Sequence, residues 1–111
     1  ELQKLCKSLP HVTEDIKWGN DLCFCIGGKM FCVLGLNQSP TSASFKVLEE
    51  EFDELSTREG FKPAPYVAKY KWVLVADINT VSTKEWKHFT AQSYNLVMAK
   101  LSPKIKKELN L

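Results

Sequence analysis

The sequence predicts an α+β domain, a two-layer sandwich in which an antiparallel sheet carries its helices mainly on one face. Segments with helical and strand patterns follow one another in the order α, β-hairpin, β, α, β, α. The chain has 111 residues, of which 44% are hydrophobic and 25% charged, an ordinary balance for a globular domain. This length predicts one domain over residues 1–111 that can bury a core without disulfides or metals.

Four segments show helical signals. Apolar residues recur at helical spacing over residues 2–9. Residues 48–60 place acidic side chains in the first turns, where the helix dipole favours them. Ser82 and Glu85 form a capping box that opens a long helix, and a short basic helical turn is expected after it. One face of the long helix is expected to carry Trp86, Phe89, Ser93, Leu96, Val97 and Lys100.

Strand signals are clearest around a Gly-Gly pair. Residues 22–26 and 30–34 are β-rich and flank Gly27-Gly28, which favours a two-residue hairpin turn. Residues 43–47 and 71–76 predict two further strands. Connections are expected at residues 11–20, 35–42 and 61–66.

The hairpin determines which side chains share a face, because successive residues of a strand point to opposite sides. A two-residue turn places Cys23 opposite Cys32 and Cys25 opposite Met30, and the side that carries the phenylalanines is expected to face the core. A longer turn would shift the register and dissolve this sulfur cluster. The other side is expected to offer a protein interface made of Cys23, Cys25, Met30, Cys32 and Leu34.

The three cysteines of the hairpin raise the question of a metal or redox site, because soft ligands suit Cu(I) or Zn. Their spacing, C-x-C-x₆-C, differs from the paired C-x₂-C of structural zinc sites. A disulfide between Cys23 and Cys32 is an alternative that a reducing compartment disfavours. We therefore expect these cysteines to pack as small apolar residues, and we expect no metal and no cofactor.

Charge is unevenly distributed along the chain. Residues 1–59 carry a net charge of −4 and residues 60–111 a net charge of +6, which hints at a basic face. The second half also mixes lysines with aromatic residues, and lysines can neutralise phosphates while aromatic rings can stack on bases. The alternative interpretation is that the lysines are solvated residues of an edge strand and the aromatic residues belong to the core. The candidate nucleic-acid-binding residues are Lys29, Lys46, Lys62, Lys69, Lys71 and Tyr66.

Motifs of enzymatic chemistry are missing from the sequence. It contains no phosphate-binding loop, nucleophile elbow, H-E-x-x-H motif or dinucleotide fingerprint. Helix geometry divides the acidic side chains at residues 49–54 between different helix faces. We therefore interpret them as solvent-exposed charges and not as a catalytic carboxylate site. We expect a protein that is not an enzyme.

Several short motifs carry a family resemblance. SLPHVTED (8–15), KWGND (17–21), GGKMF (27–31), SFKV (44–47), GFKPAPY (60–66), KWV (71–73) and SYNLVMAKL (93–101) occur in this order. With them the chain resembles the MmcQ/YjbR family of small bacterial proteins over essentially its whole length. The resemblance implies a fold similar to secretion chaperones and frataxin-like proteins.

The same resemblance implies DNA binding through a double-wing arrangement of β-hairpins. The matching positions are Lys29, Lys46, Lys69 and Lys71. The cysteines of the hairpin depart from the family's pattern and leave their face less basic than a DNA-binding wing requires.

The leading hypothesis is therefore a cytosolic, non-enzymatic domain that binds DNA through basic hairpin surfaces. The alternative is a protein-interaction or homodimerisation module that uses the open sheet face. No basic and apolar leader opens the chain and no apolar run approaches a membrane span, so we expect a cytoplasmic protein without a membrane partner.

Overall fold

The computed structural model describes residues 2–17, 19–36 and 39–110, and this part of the chain forms one antiparallel sheet of six strands with four α-helices. The expected turn at residues 35–42 includes positions 37 and 38, which lie outside the described residues. The strands are β1 (Val12–Lys17), β2 (Asp21–Ile26), β3 (Lys29–Gly35), β4 (Ser42–Lys46), β5 (Phe61–Pro63) and β6 (Trp72–Val75). The helices are α1 (Leu2–Lys7), α2 (Glu49–Thr57), α3 (Thr83–Ala99) and α4 (Pro103–Glu108), with 3₁₀ turns at Ala68–Tyr70 and Ile78–Thr80.

The strands lie in the order β1-β2-β3-β4-β6-β5, and every neighbouring pair is antiparallel. All four helices contribute to one hydrophobic core on one side of this sheet, for example through Cys6, Phe52, Phe89 and Ile105. The predicted α+β sandwich, with helices on one face, is confirmed. None of the helices in the described residues is both long and apolar enough to cross a membrane.

Aromatic side chains join the sheet to the longest helix. Phe45 of β4 stacks on Phe89 of α3 with ring centroids 5.0 Å apart, and it meets Trp86 edge-on at 5.5 Å. Phe61 of β5 meets Phe89 edge-on, with ring centroids 6.1 Å apart. Aromatic pairs at these separations add to the stabilisation from buried area, so this cluster fixes α3 across the sheet.

The predicted register of the β2–β3 hairpin is correct at the turn and wrong beyond it. Cys25 pairs with Met30 as expected, but a β-bulge then makes Phe31 an extra residue, and Phe24 pairs with Cys32. A bulge inserts one residue into one strand and so reverses the alternation of all later side chains. Cys32 is therefore fully buried in the core instead of lying on the outer face.

Two strands form where the sequence predicted connections. Residues 12–17 pair with β2 along their whole length, and residues 61–63 pair with β6. These strands occupy the two edges of the sheet, where one face and one side meet solvent. Their residues are mostly exposed, so they show little of the hydrophobic pattern from which strands are predicted.

The tip of the hairpin rests on the C-terminal part of the chain. Gly27 has a φ of +58°, and a Cβ at this position would lie 2.8 Å from Leu101 Cδ1 and 2.9 Å from Ile105 Cγ2. Only glycine fits this close approach with a left-handed backbone. The tip is therefore packed against the core side and does not project as a wing.

The predicted capping box is half formed. Ser82 Oγ accepts a hydrogen bond from the Glu85 backbone N–H at 3.1 Å, which begins α3 as expected. The Glu85 carboxylate instead accepts two hydrogen bonds from the Arg58 guanidinium, one from Nη1 at 2.7 Å and one from Nη2 at 2.8 Å. These hydrogen bonds lower the pKa of Glu85 and tie α3 to the end of α2.

Candidate nucleic-acid interface

The site lies where the β3–β4 ladder ends. The two strands pair only from Cys32 to Gly35, so the first residues of β3 have no partner on β4. Ser93 of α3, which is fully buried, takes over part of the missing pairing. Its hydroxyl donates to the Phe31 carbonyl at 2.5 Å and accepts from the Lys46 backbone N–H at 3.0 Å. This bridge holds α3 beside the strand ends and leaves a cleft next to it.

The cleft has a volume of about 470 Å³. Strands β3, β4 and β6, the segment between β5 and β6, and the end of α3 all contribute to its wall. No carboxylate stands among these lining residues, and three of them carry ammonium groups. They are Lys29, Met30, Lys46, Val67, Tyr70, Trp72, Val97 and Lys100.

Lys46 is held in an environment that disfavours its charged form. Burial lowers its pKa, and the nearby charges of Lys100 and Lys71 lower it further, against the opposing effect of Glu49. Its ammonium donates a hydrogen bond to the backbone carbonyl of Tyr70, which holds it at the cleft. An anion bound here would relieve the repulsion between these ammonium groups.

The segment between β5 and β6 forms one wall and presents aromatic rings. The Ala64 N–H donates to the Trp72 carbonyl at 3.1 Å, which anchors the segment, while Trp72 itself is only 7% exposed. Tyr66 adopts a φ of +69° and is 97% exposed, and Tyr70 is 55% exposed. A fully exposed aromatic ring on a left-handed backbone is uncommon and favours a contact with a ligand.

The structure brings together only some of the predicted nucleic-acid-binding residues. Lys29 and Lys46 both line the cleft, and the charge of Lys71 acts on Lys46. Lys69 lies beside the cleft with its ammonium 5.1 Å from the Tyr70 ring centroid. Tyr66 belongs to the same segment. Lys62 does not line the cleft; it is exposed on the edge strand β5.

Lys100 is the functional candidate that the sequence did not single out for binding. Ser93, Val97 and Lys100 follow one another at helical spacing on the face that meets the strand ends. The sequence placed all three on one face of α3, but nothing in the sequence showed that this face meets Lys46 across 47 positions of the chain.

The predicted protein interface is divided between the two faces of the sheet. Cys23, Cys25 and Met30 lie on the outer face, as predicted. Cys32 and Leu34 are 0% and 1% exposed and belong to the core, because the bulge reverses their direction. The predicted five-residue sulfur face therefore does not exist as one surface.

The environment of the cysteine thiols disfavours reactive thiolates. Burial and the neighbouring Cys25 raise the pKa of Cys23 to about 11, and burial raises the pKa of Cys25. A hydrogen bond with Cys6, together with burial, raises the pKa of Cys32. Across the described ranges no three histidine, cysteine or acidic side chains converge in a way that could hold a metal ion.

A second concavity, of about 460 Å³, runs along the outer side of α3. Its wall includes Leu48, Gln92 and Leu96, and His88 is the one titratable side chain among its described lining residues. It lacks the convergent charges of the lysine cleft, so the cleft is the stronger candidate site.

Comparisons with known proteins agree with this fold. The family model described as YjbR matches residues 7–96. The chain is similar to the crystal structure of Deinococcus radiodurans protein DR2400, domain DUF419, with 29% identity, a TM-score of 0.86, and coverage of 99% of this chain and 86% of that one. A Pseudomonas syringae protein of known structure shares the fold at 22% identity and a TM-score of 0.63, over 77% of this chain and 86% of that one. No curated protein matches the sequence. Because the family model covers most of the chain, the protein belongs to the YjbR family.

Proposed function

We propose that this YjbR domain binds DNA, and that the lysine cleft, not a projecting hairpin, holds the phosphate backbone. The observation that carries the proposal is the convergence of Lys29, Lys46 and Lys100 around one concavity without an acidic side chain in its lining. Like charges held together in this way are destabilising unless an anion is bound, and phosphate contacts supply most of the affinity in sequence-independent binding.

The anchored hairpin tip supports this choice of surface. Gly27 is in close contact with Leu101 and Ile105, so the tip cannot enter a DNA groove without leaving the core. Lys29, at the start of β3, instead directs its charge to the cleft. The hairpin thus contributes to binding through Lys29, which flanks the turn, and not by inserting the turn into a groove.

Aromatic side chains extend the same surface. Tyr70 lines the cleft, and Tyr66, Lys69 and Lys71 lie in the same segment between β5 and β6; both tyrosines are exposed. Stacking of a base on an exposed ring contributes about 1–3 kcal/mol and tolerates any sequence. A strand whose phosphates occupy the cleft could therefore stack unpaired bases on this segment.

Salt dependence of DNA affinity tests the proposal. Three phosphate contacts predict a slope of log K against log salt of about −2.7 for a duplex and about −2 for a single strand. Fluorescence anisotropy with labelled duplex and single-stranded oligonucleotides between 25 and 200 mM salt would measure this slope on both forms.

A charge reversal on α3 supplies a matched comparison. Lys100→Glu should weaken binding about tenfold and flatten the salt slope by about 1, because one phosphate contact is lost. Lys84→Glu changes the net charge equally on an exposed residue at the other end of α3, about 24 Å away along the helix axis, and should have little effect. Equal losses in the two variants, or no binding at 25 mM salt, would contradict the proposal.

A further inference from the structure

The outer face of the sheet carries an ordered row of side chains across all six strands. Strand pairing places Asp15, Cys23, Val33, Ser44, Leu74 and Lys62 directly side by side, from edge to edge. Partners in an antiparallel pair point to the same face. The row therefore begins with an exposed carboxylate at one edge and ends with an exposed ammonium at the other.

The middle of this face is partly apolar, and none of the α-helices in the described residues packs on it. Val33 and Leu74 are partly exposed there on either side of Ser44, and Met30 is partly exposed where this face meets the lysine cleft. Cys23 and Cys25 lie on the same face but are only 0% and 5% exposed. An antiparallel sheet with one solvated face normally alternates apolar residues inside with polar residues outside. An open sheet face with partly exposed apolar side chains near its centre is compatible with coverage by another protein.

We infer that a second copy of this chain covers the outer face, in a two-fold symmetric homodimer whose axis runs parallel to the strands. Such an axis reverses the row, so Asp15 of one copy meets Lys62 of the partner, and Val33 meets the partner's Ser44 at the centre. An axis along the row would instead place each Asp15 against its equivalent, which like-charge repulsion disfavours.

The ends of the row are free for this contact. Within the described residues the salt bridges are Lys7 with Glu14 and Arg58 with Glu85, so neither Asp15 nor Lys62 forms a salt bridge with another residue of this part of the chain. Both side chains are exposed, which leaves them available to the partner at little cost in desolvation.

The size of the face predicts a reversible dimer. Six strands about 4.8 Å apart and about five residues long give a surface of roughly 400 Å² per copy before side-chain relief is counted. An interface of about 1,000 Å² in total lies at the lower end for specific association. The dimer should therefore dissociate on dilution through the micromolar range.

The symmetry has a consequence for the lysine clefts. Rotation about an axis parallel to the strands leaves positions along the strands unchanged, so the two clefts lie at the same end of the dimer. The dimer itself does not depend on DNA binding, and its test requires no nucleic acid.

Sedimentation equilibrium of the full chain, from 5 to 500 µM and at 50 and 500 mM salt, tests the inference. The wild-type protein should show a monomer–dimer equilibrium that salt weakens. Asp15→Lys and Lys62→Asp should each raise the dissociation constant on the order of tenfold, because two attractive contacts per dimer become repulsive.

The two charge variants then provide an internal check. Mixed together, Asp15→Lys and Lys62→Asp should form a heterodimer with wild-type affinity, since opposite charges face each other at both ends. The double variant should also dimerise like the wild type. Glu14→Lys, which alters the neighbouring residue whose side chain points to the opposite face, is the matched control and should leave the dimer intact.

Several results would overturn the inference. A protein that remains monomeric at 500 µM refutes the dimer. A dimer that both single variants leave unchanged, or that mixing does not restore, refutes the two-fold arrangement. Val33→Asp places a charge in the centre of the face, so a correctly folded variant by circular dichroism that still dimerises would exclude this face as the interface.

Discussion

Replacing Ser93 with alanine should destabilise the protein more than its single hydroxyl group suggests. This hydroxyl donates to the Phe31 carbonyl at 2.5 Å and accepts the Lys46 N–H at 3.0 Å, while the side chain is fully buried. Ser93→Ala removes both hydrogen bonds and leaves a backbone carbonyl and a backbone N–H without this partner. Each bond contributes about 1 kcal/mol, and an orphaned buried group costs about 1–3 kcal/mol.

We therefore expect Ser93→Ala to lower the free energy of unfolding by about 2–3 kcal/mol. With a urea m-value of about 1.5 kcal/mol/M for a chain of this size, the unfolding midpoint should fall by roughly 1–2 M. Circular dichroism during urea denaturation measures this shift directly, and an unchanged m-value would show that the effect is on stability.

Ser56→Ala is the matched control, because the hydroxyl of Ser56 is buried without a hydrogen-bond partner. Removing an unsatisfied polar atom should leave stability unchanged or raise it slightly. If both alanine variants shift the midpoint equally, the bridge between α3 and the strand ends does not stabilise the fold as described.

Three further predictions follow from the packing and the charges. Gly27→Ala should lower the free energy of unfolding by about 2 kcal/mol, more than Gly28→Ala, since both have positive φ but only Gly27 lacks space for a Cβ; equal losses in thermal denaturation would refute the close approach. Arg58→Ala should cost less than about 1 kcal/mol at pH 7, and because the pKa of Glu85 is lowered in the folded state, the loss should shrink as the pH falls through that pKa, leaving only the contact of the guanidinium with the Phe61 ring; a loss as large at pH 2 as at pH 7 would contradict this. All four cysteines are buried and the pKa of Cys23 is raised to about 11, so Ellman's reagent at pH 8 should react rapidly only after unfolding, and a fast native phase would refute their burial.

Much of the fold was predictable because local signals and tertiary structure agree. Ser82 caps α3, and Gly27-Gly28 forms the turn at the predicted place. The bulge at Phe31 carries no comparable signal. Its extra residue is stabilised by Ser93, which lies 62 positions away in the sequence, so the reversal of Cys32 and Leu34 depends on a long-range contact.

The candidate site was only partly predictable for the same reason. Lys29 and Lys46 stood out by their positions in a hairpin and a strand, whereas Lys100 looked like an ordinary lysine near the end of a helix. The cleft exists because the β3–β4 ladder stops short and α3 takes over its last hydrogen bonds. A single sequence does not show where a ladder stops.

The sequence alone determined the α+β class, the hairpin, the long capped helix and the uneven charge, because periodicity, capping and turn chemistry act over a few neighbouring residues. The tertiary structure decided which face each cysteine occupies, that the hairpin tip rests on the C-terminal segment, and that three lysines surround one cleft. These features depend on contacts between residues far apart in the chain, and in such contacts geometry outweighs local preference.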